Sequence, residues 1–248
     1  RVAGSVAAVG EQAAAGGIAG MNAGTIEGAY SRGTVSAAGD GLGFGAAGGI
    51  AGVNEASGGI FHAFSYAEVG AEGPAAAAGG IAAWSFGDIR FVYATGSVEA
   101  GGSVMALGGG IAGMASGGSI SQAVGAAFVA VNADGALAAG KTYYGGIVGM
   151  KEDEAVVSES YYNYQMLKND SAYFLEDNTR VRGGTAAGAE ALTAGALASG
   201  VLPGALDAGA WVAEAGSYPQ LAQFAGTAAS KASAAAVIFR RGDSVHRI

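Results

Sequence analysis

The chain has 248 residues, a hydrophobic fraction of 51% drawn largely from alanine, 47 glycines, no cysteine and a formal net charge of −8. That charge repels a phosphate backbone and no basic stripe offsets it, so nucleic acid is not an expected partner; the missing cysteines exclude a disulfide framework and thiolate metal sites. Glycine does not recur at every third place, which excludes collagen, and isoleucine, valine and tyrosine return in register between the glycines, which excludes a flexible linker.

The chain opens at Arg1 without a basic leader and apolar signal region, so it reads as an excerpt of a longer protein. Gly4-Ser5-Val6 then matches the tail of a unit that repeats along the chain. Each full unit begins with a glycine pentapeptide: Gly16-Gly17-Ile18-Ala19-Gly20, Gly48-Gly49-Ile50-Ala51-Gly52, Gly79-Gly80-Ile81-Ala82-Ala83, Gly109-Gly110-Ile111-Ala112-Gly113 and Gly145-Gly146-Ile147-Val148-Gly149. Their first glycines are 32, 31, 30 and 36 residues apart, a period that marks stacked supersecondary units.

A second element follows each pentapeptide: Thr25 to Tyr30, Gly59 to Phe64, Asp88 to Tyr93, Ser119 to Val124 and Val156 to Tyr161. A third follows closely, at Gly33-Thr34-Val35, Glu68-Val69, Gly96-Ser97-Val98 and Phe128-Val129. These β-branched or aromatic runs have strand lengths, and the flanking glycines disfavour helices at about 1 kcal/mol each. The second element is expected to bend after its third residue.

The predicted fold is therefore all-β: a parallel right-handed β-helix, or solenoid, of about five coils with three short strands each, closed by a C-terminal cap segment. Ile18, Ile50, Ile81, Ile111 and Ile147 stack as one internal ladder, and Ile26, Ile60, Ile89, Ile120 and Val157 as another. A partly aromatic column runs through Tyr30, Phe64, Tyr93, Val124 and Tyr161, and together the columns hold a narrow, dry core. Repeats are expected over residues 1–166, the cap over 167–224, and a linker with the start of a following β module over 225–248. Ala100 to Ala133 carries no charge but is broken by glycine runs, so no membrane span is predicted.

The run Gly16-Gly17-Ile18-Ala19-Gly20-Met21-Asn22-Ala23-Gly24-Thr25-Ile26, with Tyr30 and Gly33-Thr34-Val35 after it, resembles the GLUG repeat of bacterial secreted and surface proteins. Asn22 and Asn54 keep the asparagine usual after the pentapeptide, whereas Ser85, Ala115 and Lys151 replace it in later copies. The family occurs in large adhesins of the filamentous haemagglutinin kind and in non-catalytic parts of immunoglobulin A peptidases, so the resemblance implies a β-helical module outside the cell. Ala191-Leu192-Thr193, Trp211 and Gly216-Ser217-Tyr218-Pro219-Gln220-Leu221 are similar to the segment that closes such arrays. Trp211, Tyr218 and Leu221 are its expected plugs over the last coil. Residues 236–248 alternate like a hairpin with a Gly-Asp turn, similar to the opening of small β-repeats in Gram-positive surface proteins.

Chemistry-bearing residues are sparse. His62 and His246 lie in no metal-binding spacing, and the column shared by His62 carries Gly28, Phe91, Gln122 and Glu159 in other coils, a variability that points outward. Glu27, Asp40, Glu55, Glu68, Glu72, Asp88, Glu99 and Asp134 do not recur at matching places, so no carboxylate cluster of a glycan-cleaving β-helix is expected. Lys151-Glu152-Asp153-Glu154 reads as a solvated loop, with hard-cation binding as the alternative. Arg241, Gly242 and Asp243 form the tripeptide that integrins recognise, and the same residues also suit an ordinary turn.

The expected function is a non-catalytic structural or adhesive module of an extracellular or bacterial cell-surface protein. It is expected to need no cofactor or metal and to contact a host glycan or protein beside the other modules of its chain. The alternative is an accessory, substrate-positioning domain of a secreted peptidase or glycan-acting enzyme.

Overall fold

The computed structural model describes residues 2–133, 141–167, 171–176, 179–234, 237–240 and 244–247. The chain winds into a parallel β-solenoid of about six turns, one more than the pentapeptides count. The first turn holds β1 (Val2–Gly16), β2 (Ala19–Asn22) and β3 (Thr25–Glu27), the second β4 (Tyr30–Gly48), β5 (Ala51–Asn54) and β6 (Gly59–Ser65), and the third β7 (Glu68–Gly79), β8 (Ala82–Ser85) and β9 (Asp88–Ala94). The fourth holds β10 (Ser97–Gly109), β11 (Ala112–Ala115) and β12 (Ser119–Gly125). The fifth holds β13 (Phe128–Ala133), β14 (Thr142–Gly145), β15 (Val148–Lys151), β16 (Val156–Ser158) and β17 (Ser160–Asn163). The parallel ladder continues beyond Met166 through β18 (Ser171–Leu175) on β15 and, after the antiparallel edge strand β19 (Arg180–Arg182), through β20 (Ala189–Leu192) on β17.

Both isoleucine ladders are present. The amide of Ile18 donates to the carbonyl of Ile50 at 2.9 Å, Ile50 to Ile81 at 2.8 Å, Ile81 to Ile111 at 2.8 Å and Ile111 to Ile147 at 2.9 Å. The second ladder pairs Ile26 with Ile60, Ile60 with Ile89, Ile89 with Ile120 and Ile120 with Val157. These side chains share one buried cluster, and each full burial contributes about 1.5–3 kcal/mol. The pentapeptide glycines serve close approach and not φ > 0 corners: a Cβ on Gly80 would stand 2.1 Å from the carbonyl oxygen of Gly110 in the next turn.

The third element is longer than the short strand expected. β4, β7 and β10 run outward, shift register between Ala38 and Phe44 or between Gly102 and Met105, and return to the next pentapeptide. Val69 and Ala71 on the outward limb share a second buried cluster with Ala76 and Ala78 on the return. Between the limbs the cluster is mostly alanine, with a valine from each outward limb, Val35, Val69, Val98 and Val129. Alanine's poor strand propensity hid these limbs from a reading based on β-branched runs.

The bend in the second element falls where it was expected. His62, Phe91, Gln122 and Glu159 have φ of 50°, 54°, 51° and 47°, and Gly28, their counterpart in the first turn, has 63°. One left-handed residue per turn interrupts the two-residue alternation, so Ile60 and Ala63 join the isoleucine core while Phe64 belongs to a different cluster. The aromatic column Tyr30, Phe64, Tyr93, Val124 and Tyr161 is in register as expected but lies on the outside of the tube.

That column is covered by the C-terminal segment, a further departure from expectation. The segment comprises α1 (Ala194–Leu197), β21 (Trp211–Val212), β22 (Gln220–Leu221) and α2 (Ala228–Ala234). Leu197, Leu206, Trp211, Tyr218 and Leu221 bury themselves against the flank of the stack. These residues do not plug the last turn alone, because the bends leave an apolar flank along several turns that needs a cover. Beyond them, β23 (Val237–Arg240) and β24 (Ser244–Arg247) pair antiparallel, as the hairpin pattern predicts.

Candidate functional site

Ring stacking and side-chain hydrogen bonds run along the seam between the aromatic column and the C-terminal segment. Phe64 stacks on Tyr93 at 4.7 Å between centroids and on Tyr30 at 4.9 Å, with planes 2° and 6° from parallel. From the C-terminal side, Trp211 meets Tyr93 at 6.2 Å, and Phe224 stands edge-on to Phe64 at 5.0 Å and to Tyr30 at 6.1 Å. The segment thus runs back along the stack, from the turn of Tyr161 to that of Tyr30.

Hydrogen bonds fix this alignment. The Ala205 amide donates to the Tyr161 hydroxyl at 2.8 Å and the Asn163 side-chain amide donates to the Tyr218 hydroxyl at 2.9 Å. Gln122 donates to the Ala205 carbonyl at 2.6 Å and accepts from the Asp207 amide at 2.8 Å. Gln122 is therefore buried although it points away from the tube, as the variability of its column predicts. Gln223 donates to the His62 carbonyl at 3.1 Å, which ties the segment to the second turn.

At its far end the seam opens into a cleft of about 300 Å³, with Tyr30, Arg32 and Tyr66 on the solenoid side and Phe224 and Thr227 to Ala229 on the other. Tyr30, Tyr66 and Phe224 are half-buried and Arg32 is exposed. Among the described residues Arg32 forms no ion pair, and neither tyrosine hydroxyl forms a hydrogen bond. Register explains the opening. Arg32 and Tyr66 follow Ser31 and Ser65, which pair across the turns, while the strand position opposite Arg32 in the preceding turn is Ala3.

A second outward column, Met21, Val53, Trp84, Met114, Met150 and Phe174, lines the opposite sheet. Trp84 packs against Phe44 at 4.4 Å, and Met21 is 65% exposed.

The other residues singled out by sequence have structural surroundings. The His62 ring stacks on Phe91 at 4.7 Å, and the Arg90 guanidinium lies over the same ring at 4.5 Å. Asp88 accepts from the Ser119 amide at 2.9 Å and from its hydroxyl at 2.8 Å, so it anchors the start of β12. Glu152, Asp153 and Glu154 form the turn after β15, where Lys151 donates to the Glu152 carbonyl at 2.9 Å. Among the described residues no group of three or more histidine, aspartate or glutamate side chains is placed to hold a metal ion. Nor is any described helix long and apolar enough to cross a membrane. Arg241, Gly242 and Asp243 lie outside the described residues; the strands on either side pair with Arg240 opposite Ser244.

Sequence reasoning missed Arg32 and Tyr66. Both stand two residues beyond the aromatic column, and only the left-handed bend reveals that this parity faces outward. No family model matches the chain, and neither a curated protein nor a solved structure does.

Proposed function

We propose that the chain is a non-catalytic module of an extracellular bacterial surface protein, a stiff segment that spaces neighbouring modules and adheres to a host or matrix glycan or protein. The observation that carries this reading is the unbroken ladder from Ile18 to Ile147 with the C-terminal segment laid along it. One translation of about 4.8 Å relates each turn to the next, so bending the stack breaks hydrogen bonds on one side and bending toward the seam compresses stacked rings. Such a body suits spacing and display. The likeness of Gly16 to Val35 to the GLUG repeat supports the bacterial, extracellular setting, and the absence of cysteine agrees with it.

Attachment tests the proposal. Beads coated with the chain should bind host cells or matrix-coated surfaces above beads coated with an unrelated acidic β-solenoid, and equal binding contradicts it. The open cleft favours a second reading, in which the module positions substrate for a secreted peptidase or glycan-acting enzyme. That reading predicts faster turnover when the chain is joined to its catalytic neighbour.

A further inference from the structure

We propose that the cleft at Tyr30, Arg32, Tyr66 and Phe224 is a binding site for a carboxylated sugar, a uronic or sialic acid residue of an acidic glycan. The inference deepens the adhesive reading and rests on it for its setting.

Three features select this ligand. The cleft, at about 300 Å³, lies at the small end of the range for small-molecule sites, about 300–1,000 Å³, which fits one or two sugar residues. Its walls are aromatic on both sides, with Tyr30 and Tyr66 on the solenoid and Phe224 on the segment, so a ring entering between them meets apolar surface. The polar groups inside are a guanidinium, two phenolic hydroxyls and the Thr227 hydroxyl, which already accepts from the Ser230 amide at 3.2 Å.

Arg32 decides the charge. Arg32 is exposed and forms no ion pair among the described residues, so its guanidinium is open to a ligand at the mouth of the cleft. Its fork of N–H groups matches a carboxylate in bidentate fashion, and the two tyrosine hydroxyls can donate to or accept from ring hydroxyls. An aspartate or glutamate side chain on a peptide satisfies Arg32 but leaves the aromatic walls without a ring. A neutral sugar uses the walls but leaves the guanidinium without its partner.

The cleft is preformed. Tyr30 is held by its stack on Phe64, Phe224 by its edge contacts with both rings, and Thr227 by the first turn of α2. Ordering on binding falls mainly on the exposed Arg32 side chain, because the aromatic walls are already set.

Calorimetric titration of the whole chain tests the proposal. The probes are an oligosaccharide ending in sialic acid, a glucuronic acid disaccharide, the same glycans with each carboxyl reduced to an alcohol, and a triglutamate peptide. At least one acidic glycan should bind, with carboxyl reduction and Arg32→Gln each weakening it about tenfold or more. Tyr66→Ala should weaken it as well, and Arg32→Gln should keep the wild-type melting temperature because the side chain is exposed. No binding of either acidic glycan, equal binding of the reduced forms, equal or tighter binding of triglutamate, or wild-type affinity in Arg32→Gln overturns the assignment. Bead attachment measured with Arg32→Gln separates the two ideas. Attachment that persists while the glycan result is negative removes the cleft and leaves the adhesive reading; attachment absent in the wild type removes the adhesive reading itself.

Discussion

Phe64 and Tyr93 stand one turn apart with ring centroids at 4.7 Å and planes 2° from parallel, on the outer flank of the tube and beneath the C-terminal segment. The pair belongs at once to the repeat and to its cover. Tyr93→Ala should lower stability by about 3–5 kcal/mol, as for other large aromatic truncations in packed interiors. Hydrogen exchange should show residues 205–230 losing protection more than the Ile81 and Ile111 amides. Equal loss in both regions contradicts the assignment of this column to the seam.

Charge placed on the two faces of one turn discriminates inside from outside. Ile81 is fully buried, and Ile81→Asp leaves an unpaired carboxylate among isoleucines, enough to prevent folding of the middle turns. Arg90 is exposed with its guanidinium over the Phe91 face, so Arg90→Asp should cost about 0.5–1 kcal/mol. Thermal denaturation of both variants checks this, and equal midpoints refute the register.

The left-handed residue in each turn predicts an unusual substitution order. His62→Gly removes the stack on Phe91 but relaxes a φ of 50°, so its stability should stay within about 0.5 kcal/mol of the parent. His62→Val should lose about 1–2 kcal/mol, because a β-branched residue adopts this conformation poorly. Chemical denaturation that ranks valine above glycine rules out the bend.

Tyr173 supplies the pH dependence. Burial raises its pKa above the ordinary value of 10.0 by penalising the phenolate. Below pH 10 the hydroxyl is protonated in both states and this burial carries no ionisation penalty. As pH rises through 10.0 the unfolded chain ionises first, so stability falls on the alkaline side. Tyr173→Phe should flatten that part of the profile in urea melts taken from pH 8 to about 11, and an unchanged alkaline slope counts against a buried phenol.

The parallel stack, its period and both isoleucine ladders were legible because each rests on a β-branched residue recurring beside glycine. Ile50 and Ile81 announce themselves in any window of the right length. The outward position of Phe64 was not legible, since Ile60 and Phe64 have the same parity and only the backbone at His62 separates their faces. Ala71 and Ala76 gave no strand signal, although both lie in the single strand Glu68–Gly79. The cleft was hidden for a further reason: Tyr66 and Phe224 are 158 positions apart, and nothing local to either brings them together.

Paired cysteines test the stacking most directly, because the parent chain has none. Thr34 lies opposite Glu68, and Glu68 opposite Ser97, so the Thr34 and Glu68 Cα atoms are about 4.8 Å apart and those of Thr34 and Ser97 about twice that. A disulfide needs about 4.4–6.8 Å. Under mild oxidation Thr34→Cys with Glu68→Cys should close within one molecule, while Thr34→Cys with Ser97→Cys should remain reduced. Closure of the second pair in preference to the first, or of neither, contradicts the solenoid on which the account rests.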